Sequence, residues 1–149
     1  MQGLGLGKEV TCYATHLWRC VMTIWLVCIS HTVSSKDQNA LAVTVPNSGS
    51  YTRAISTDNP ATQTFFDQGL RLAWGFYFPE SIASYQEASR HDPSHPMPYW
   101  GIAHAAGPNP NSRYAQMPDD PQGAGLAAIQ SALARIDRAT PMEAELIRA

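Results

Sequence analysis

The side chains best suited to metal or nucleophilic chemistry are five histidines and three cysteines, and their positions limit what they can do. His91 and His95 stand four apart, a spacing that on a helix turns both imidazoles to one face, as zinc sites require. Pro93 lies between them in HDPSHP, which reads as a turn, so that geometry is not supplied. His104 has no carboxylate three or four residues away, and the simple expectation for these histidines is a solvated turn or groove. GLGLG at 3–7 has the glycines of a phosphate loop but opens no helix of the fold. Ser48 and Ser50 lack a neighbouring base or a nucleophile elbow. Asp119 and Asp120 are a carboxylate pair, of which Asp120 is better placed to cap a helix. No catalytic residue, metal ligand or cofactor is expected from these patterns.

The cysteines (Cys12, Cys20 and Cys28) all fall in the first 28 residues, with His16 and His31 close by. Arg19 precedes an apolar run, CVMTIWLVCIS, and small and polar residues follow it. Those are the three parts of a secretory signal, with cleavage expected after Ser35. The run is shorter than the ~20 residues of a spanning helix, so no stable membrane anchor is expected. The segment 1–35 is thus read as a signal peptide that directs a secreted or periplasmic protein and carries every thiol away. Ten Lys and Arg against twelve Asp and Glu, with no basic run, exclude nucleic acid as the leading partner. Residues 36–58 read as an irregular extension in which ALAVTV (40–45) is a candidate edge strand.

From residue 59 onward the helix signals are dense. Asn59 caps, Pro60 takes the first helical position, and Phe65, Gly69, Leu72 and Phe76 share a face. A second helix follows Pro79 and runs to Arg90, and a third spans about Met97 to Ala106. After a Pro- and Asn-rich loop (107–123), Asp120 opens a helix with Leu126, Ile129, Leu133 and Ile136 on one face. Thr140, Pro141 and Glu143 form a capping-box start for the last helix. The class is therefore all-α.

An offset of 34, the tetratricopeptide period, aligns the first two hairpins. Phe65 then meets Tyr99, Gly69 meets Ala103, Gln68 meets Ile102 and Leu72 meets Ala106. Gly69 and Ala103 are small where the helices of one repeat cross, and Ala88 is small where the next repeat packs. Tyr85 fills the space between helices and Pro93 turns the chain. Gln68 and Ser81 depart from the usual Leu and Ala. Domain 59–149 is thus expected to hold about two repeats and the start of a third, an incomplete α-solenoid.

The stretch QTFFDQGLRLAWGFYFPESIASYQEASRHDPSHPMPYWGIAHAAGPNPN resembles the core of secreted or periplasmic tetratricopeptide-repeat proteins, a largely uncharacterised family. Their series FDQGL–YGF–EA–F–A–DP–YWG–A–GPN is matched at Phe66 to Leu70, Gly75-Phe76, Glu80, Tyr85, Ala88, Asp92-Pro93, Tyr99 to Gly101 and Gly107 to Asn109. The likeness covers about 51–149. Members often carry Asn-His after Gly-Phe and a cysteine near YWG. Tyr77-Phe78 and His95 to Pro98 stand there in this chain, so a metal or ligand site using those positions does not carry over. The family's members are usually longer, which implies an N-terminal fragment.

In stacked repeats the first helix of each pair lines a concave groove. Here that places Gln63, Phe66, Leu70, Ala73, Met97, Trp100, His104 and Gly107 in an apolar, aromatic groove suited to a protein or peptide ligand. It lacks the Lys and Asn of carboxylate-clamp repeats. The expected function is a non-catalytic, extracytoplasmic peptide-binding scaffold. The alternative is the N-terminal part of a larger enzyme or metal-binding protein whose active residues lie beyond Ala149.

Overall fold

The computed structural model describes residues 39–107 and 117–149, so the signal-like segment and Pro108-Asn109 of the loop lie outside the described residues. The described residues form five α-helices and no strand: α1 (Pro60–Trp74), α2 (Phe78–His91), α3 (Pro96–Ala106), α4 (Pro121–Leu133) and α5 (Pro141–Arg148), with a 3-10 turn at Ile136–Arg138. No helix among them is long and apolar enough to cross a membrane. Each of α1 to α4 packs against its neighbour in sequence, α1 also touches α3, and α5 rests on α4 and α3.

The start signals are where the sequence puts them. The Asn59 side chain accepts from the Ala61 and Thr62 amides, and Asp120 accepts from Gly123. Thr140 and Glu143 close a reciprocal capping box. The stop of α1 differs from expectation. Gly75 is one residue early, and Phe76 takes the left-handed conformation, with φ of 65°. The Phe76 amide donates to Ala73 C=O and the Tyr77 amide to Leu72 C=O, the two bonds of a Schellman motif in which glycine is the usual left-handed residue.

The core is offset from the face the spacing suggests. Phe66, Leu70, Ala73, Ile82, Tyr85, Ala88, Met97, Ala105 and Ala106 are buried, while Phe65 and Leu72 are half-buried and Phe76 is exposed. At its centre the Tyr85 ring, tilted on Phe66, fills the space beside two glycines on the flanking helices. A Cβ at Gly69 would lie 2.6 Å from that ring and one at Gly101 only 2.4 Å. The close crossing expected at Gly69 is present, and Gly101 makes a second. On α4 the small residues Ala128 and Ala132 face inward, and Leu126 and Leu133 are exposed. Alanine-on-alanine packing with α3 brings the two backbones together and leaves no room for leucine at the contact.

Residues 40–45 form no strand. With no second strand to supply a ladder, their backbone groups bond instead to side chains of the helices. This extension, residues 39–58, is a strap laid across α1 and the edge of α2.

Candidate functional site

The strap runs antiparallel to α1, and polar side chains of the helix hold its backbone. Gln63 accepts from the Ile55 amide at 3.0 Å and donates to the Arg53 carbonyl at 2.9 Å. Gln68 accepts from the Val45 amide at 2.8 Å and donates to the Val43 carbonyl at 2.9 Å. Each carboxamide thus grips a C=O and the N–H two residues on, the pair that one edge of an extended chain presents. Between them Asp67 accepts from the Arg53 amide and the Thr52 hydroxyl. Arg71 donates to Gly49 C=O, and Glu87 on α2 accepts from the Leu41 amide.

These readers are themselves fixed. Gln63 donates to Asp67, and Gln68 donates to the Ser84 hydroxyl, which is given in turn to Glu80 C=O. The Arg90 guanidinium and the burial-opposed amide of Leu41 hold the Glu87 carboxyl below its usual range, and His91 adds a contact at 3.1 Å. Asp67, Gln68 and Glu87 are all buried. Buried polar groups need partners, and the strap backbone supplies them. Apart from the Thr52 hydroxyl on Asp67 and the Ser48 hydroxyl on Arg71, these bonds run to main-chain atoms, so they select an extended backbone more than its side chains.

Several expected groove residues lie elsewhere. Phe66, Leu70, Ala73 and Met97 are buried in the core rather than facing a groove, because α2 covers one flank of α1 while the strap covers another. Gln63 does meet a peptide, the chain's own. Trp100 is half-buried and stacks on the exposed His104, ring centroids 5.2 Å apart, and Gly107 is half-buried beyond them. Of the expected packing residues, Gly69, Tyr85 and Ala88 are buried. Phe65 stacks on His91 at 5.7 Å, and Tyr99 lies under the Arg135 guanidinium at 4.3 Å. Pro93 is exposed in the turn, and Ile102 and Ala103 are half-buried. The signals that sequence reasoning passed over are Asp67, Gln68 and Glu87. Gln68 stood out only as a departure from Leu.

His95 is not a solvated turn residue. It is buried, it is the N-cap of α3, and its Nδ1 accepts the Met97 amide at 3.3 Å. Its Nε2 lies 3.1 Å from the Ser56 hydroxyl, which donates to Glu143 Oε2 at 2.6 Å. Serine, histidine and a carboxylate meet here, but their wiring opposes nucleophilic catalysis. An Nδ1 that accepts an amide leaves the neutral imidazole proton on Nε2, so His95 donates to Ser56 and cannot take its proton. The carboxylate binds the serine rather than orienting the imidazole. Burial moves His95 below its ordinary 6.5, against the pull of Glu143 and Asp92. Among the described residues no group of three or more His, Cys, Asp or Glu is disposed to hold a metal ion.

No family model matches the chain, and no curated protein or solved structure matches it either.

Proposed function

We propose that the chain is a non-catalytic helical-repeat scaffold whose α1–α2 face binds an extended peptide through its backbone, with residues 39–58 as the ligand bound in cis. The observation that carries this reading is the paired grip of Gln63 and Gln68 on C=O and N–H groups two residues apart. Main-chain bonds of this kind give affinity in strand-like peptide recognition. The sequential packing of α1 to α4 and the tetratricopeptide-like series support the helical-repeat part of the proposal. The signal-like segment supports a secreted or periplasmic location.

A cis ligand competes at an effective concentration in the millimolar range, so the test weakens the strap without touching the helices. Leu41→Pro with Val45→Pro in the full chain removes the two amides that Glu87 and Gln68 accept. A fluorescent synthetic peptide of residues 39–46 is expected to bind this variant saturably, and to lose binding when Gln68→Ala is added. Equal affinity for the native chain and the variant, or indifference to Gln68→Ala, overturns the proposal.

A further inference from the structure

The strap holds its place almost entirely by hydrogen bonds. Its large apolar side chains are exposed (Val43 69%, Leu41 56%, Tyr51 54%), and Ile55 is its buried hydrophobic residue. Segments with little buried apolar area open locally at small cost. Its most constrained point is Ser56, which reaches two other parts of the fold at once. The Ser56 amide and hydroxyl both donate to Glu143 on α5, and the hydroxyl accepts from His95 at the start of α3. Next to it Thr57 donates to Asp92, the residue that ends α2.

His95 sits in this junction in one protonation state. Its Nδ1 lone pair faces the Met97 amide, and a second ring proton would set two donors against each other. The imidazolium would also stand at the positive end of the α3 dipole. The charged groups facing it are Asp92 at the end of α2, Arg138 in the 3-10 turn and Glu143 on α5. Glu143 is already committed: Ser56 gives it two hydrogen bonds, and the Thr140 amide and hydroxyl give it two more. Asp92 is engaged by Thr57 and Ser94. Among the described residues no carboxylate hydrogen-bonds the ring, so the imidazolium has no counter-ion in contact while it loses its place as a cap. Burial favours the neutral ring.

We propose that His95 is a proton-operated latch on the strap: protonation drives the imidazole out of the α3 N-cap, frees Ser56, and releases residues 39–56 from α1 while the helices stay folded. The peptide-reading face is thereby opened in mildly acidic surroundings, an inference that rests on the peptide-binding reading above for its purpose but not for its chemistry. Histidine is the side chain whose charge changes in that range.

Hydrogen exchange read by mass spectrometry on the full chain tests the latch, with the His95 titration followed by imidazole NMR. Between about pH 7.5 and a pH at which the ring is protonated, strap peptides are expected to exchange about tenfold faster after correction for intrinsic rates. Peptides from α1, α2 and α3 are expected to keep their protection. His95→Asn retains a side-chain oxygen for the Met97 amide and cannot titrate, so its strap exchange is expected to be flat with pH. Ser56→Ala leaves the cap intact, and its strap is expected to exchange fast already at neutral pH and to lose its pH response. The latch is overturned by a strap that stays protected once His95 has titrated, by the same pH response in either variant, or by strap and helices opening together. The labelled 39–46 peptide separates the two proposals. Release on protonation with no peptide bound to the opened face removes the peptide reading alone, whereas peptide binding to the proline variant with a pH-insensitive native strap removes the latch alone.

Discussion

Gly101 leaves the space that the ring of Tyr85 occupies: a Cβ at this position would stand 2.4 Å from the ring. The contact joins α3 to α2, and Gly69 repeats it from α1. The phenol is wholly buried, and among the described residues its hydroxyl has no hydrogen-bond partner. Burial holds its pKa well above the ordinary range, and the Asp67 carboxylate adds to the effect. The ring is therefore kept for its shape, and the polar atom is a cost carried with it.

From this, Gly101→Ala and Gly69→Ala are each expected to destabilise the fold by about 1–3 kcal/mol, the usual cost of overpacking. Tyr85→Phe is expected to leave stability unchanged or to raise it by about 1 kcal/mol, because an unsatisfied buried hydroxyl is removed. Urea unfolding followed by far-UV circular dichroism measures all three. A clear loss in Tyr85→Phe would show that the hydroxyl has a partner.

Phe76 offers a change in the opposite direction. It occupies the left-handed position of a Schellman motif and is exposed, with one aromatic neighbour, Phe78, at 6.2 Å. Left-handed backbone costs a non-glycine residue about 1–2 kcal/mol. Phe76→Gly is expected to raise stability by about 1 kcal/mol, less what the edge contact to Phe78 contributes. An unchanged or lower thermal midpoint would mean that the contact outweighs the strain.

The strap predicts a division between local and global effects. Gln68→Leu puts an apolar residue of similar size in this place but deletes both bonds to Val43 and Val45. Amide exchange at 41–46 is expected to quicken by about tenfold or more, with α1 and α2 unchanged. Gln63→Leu is expected to act the same way around 53–55, where its two bonds fall. If either change slows strap exchange or unfolds the helices, the strap is held by something other than these carboxamides.

Much of the fold was legible because helix starts are written in short-range chemistry. Asn59-Pro60, Asp120-Pro121 and Thr140-Pro141 each combine a cap with a residue that needs no amide. Faces were less legible. Phe66 and Leu70 read as groove residues because spacing alone cannot show that α1 is covered on more than one flank. On α4 the leucines suggested the buried stripe, whereas a close helix crossing selects alanine. The strap was legible only as an irregular extension, since its partners are side chains 8 to 87 residues away. His95 gave no sign of its role, because histidine is an uncommon N-cap and the residues it joins, Ser56 and Glu143, are distant in sequence.

Acid is expected to act in two stages. The unfolded chain binds a proton at His95 more readily than the folded chain, whose imidazole lies below 6.5. Stability therefore rises with pH across that window and falls as pH drops below 6.5. Glu87, Asp92 and Glu143 are all held below their ordinary 4.5, 3.8 and 4.5. For Glu87 the Arg90 bond dominates. For Asp92 and Glu143 burial opposes the charge, and hydrogen bonds from Ser94 and Thr57, and from Ser56 and Thr140, outweigh it. Their contribution is present above those ordinary values and lost as pH falls through the lower folded ones. Stability measured against pH is expected to show both declines in the native chain and only the lower one in His95→Asn. A single decline near pH 4 in the native chain would mean that His95 is not linked to folding.

Ser56 and Glu143 are coupled across 87 positions of sequence by two hydrogen bonds, at 2.8 and 2.6 Å. Glu143 also belongs to the capping box of α5, receiving the Thr140 amide. Its loss therefore combines a capping effect with a tertiary one, and single variants cannot separate them. Thr140→Ala is expected to cost about 1 kcal/mol as a cap loss with no change in strap exchange. Ser56→Ala removes only the hydroxyl bonds, since its amide still reaches Oε1. A double-mutant cycle of Ser56→Ala with Glu143→Gln isolates the tertiary bond, and its coupling is expected to be about 1–3 kcal/mol, the range for a hydrogen bond to a charged group. A coupling near zero, with both single variants destabilising, would place the value of Glu143 in the capping box alone and leave the strap held at this end by Thr57 and Asp92.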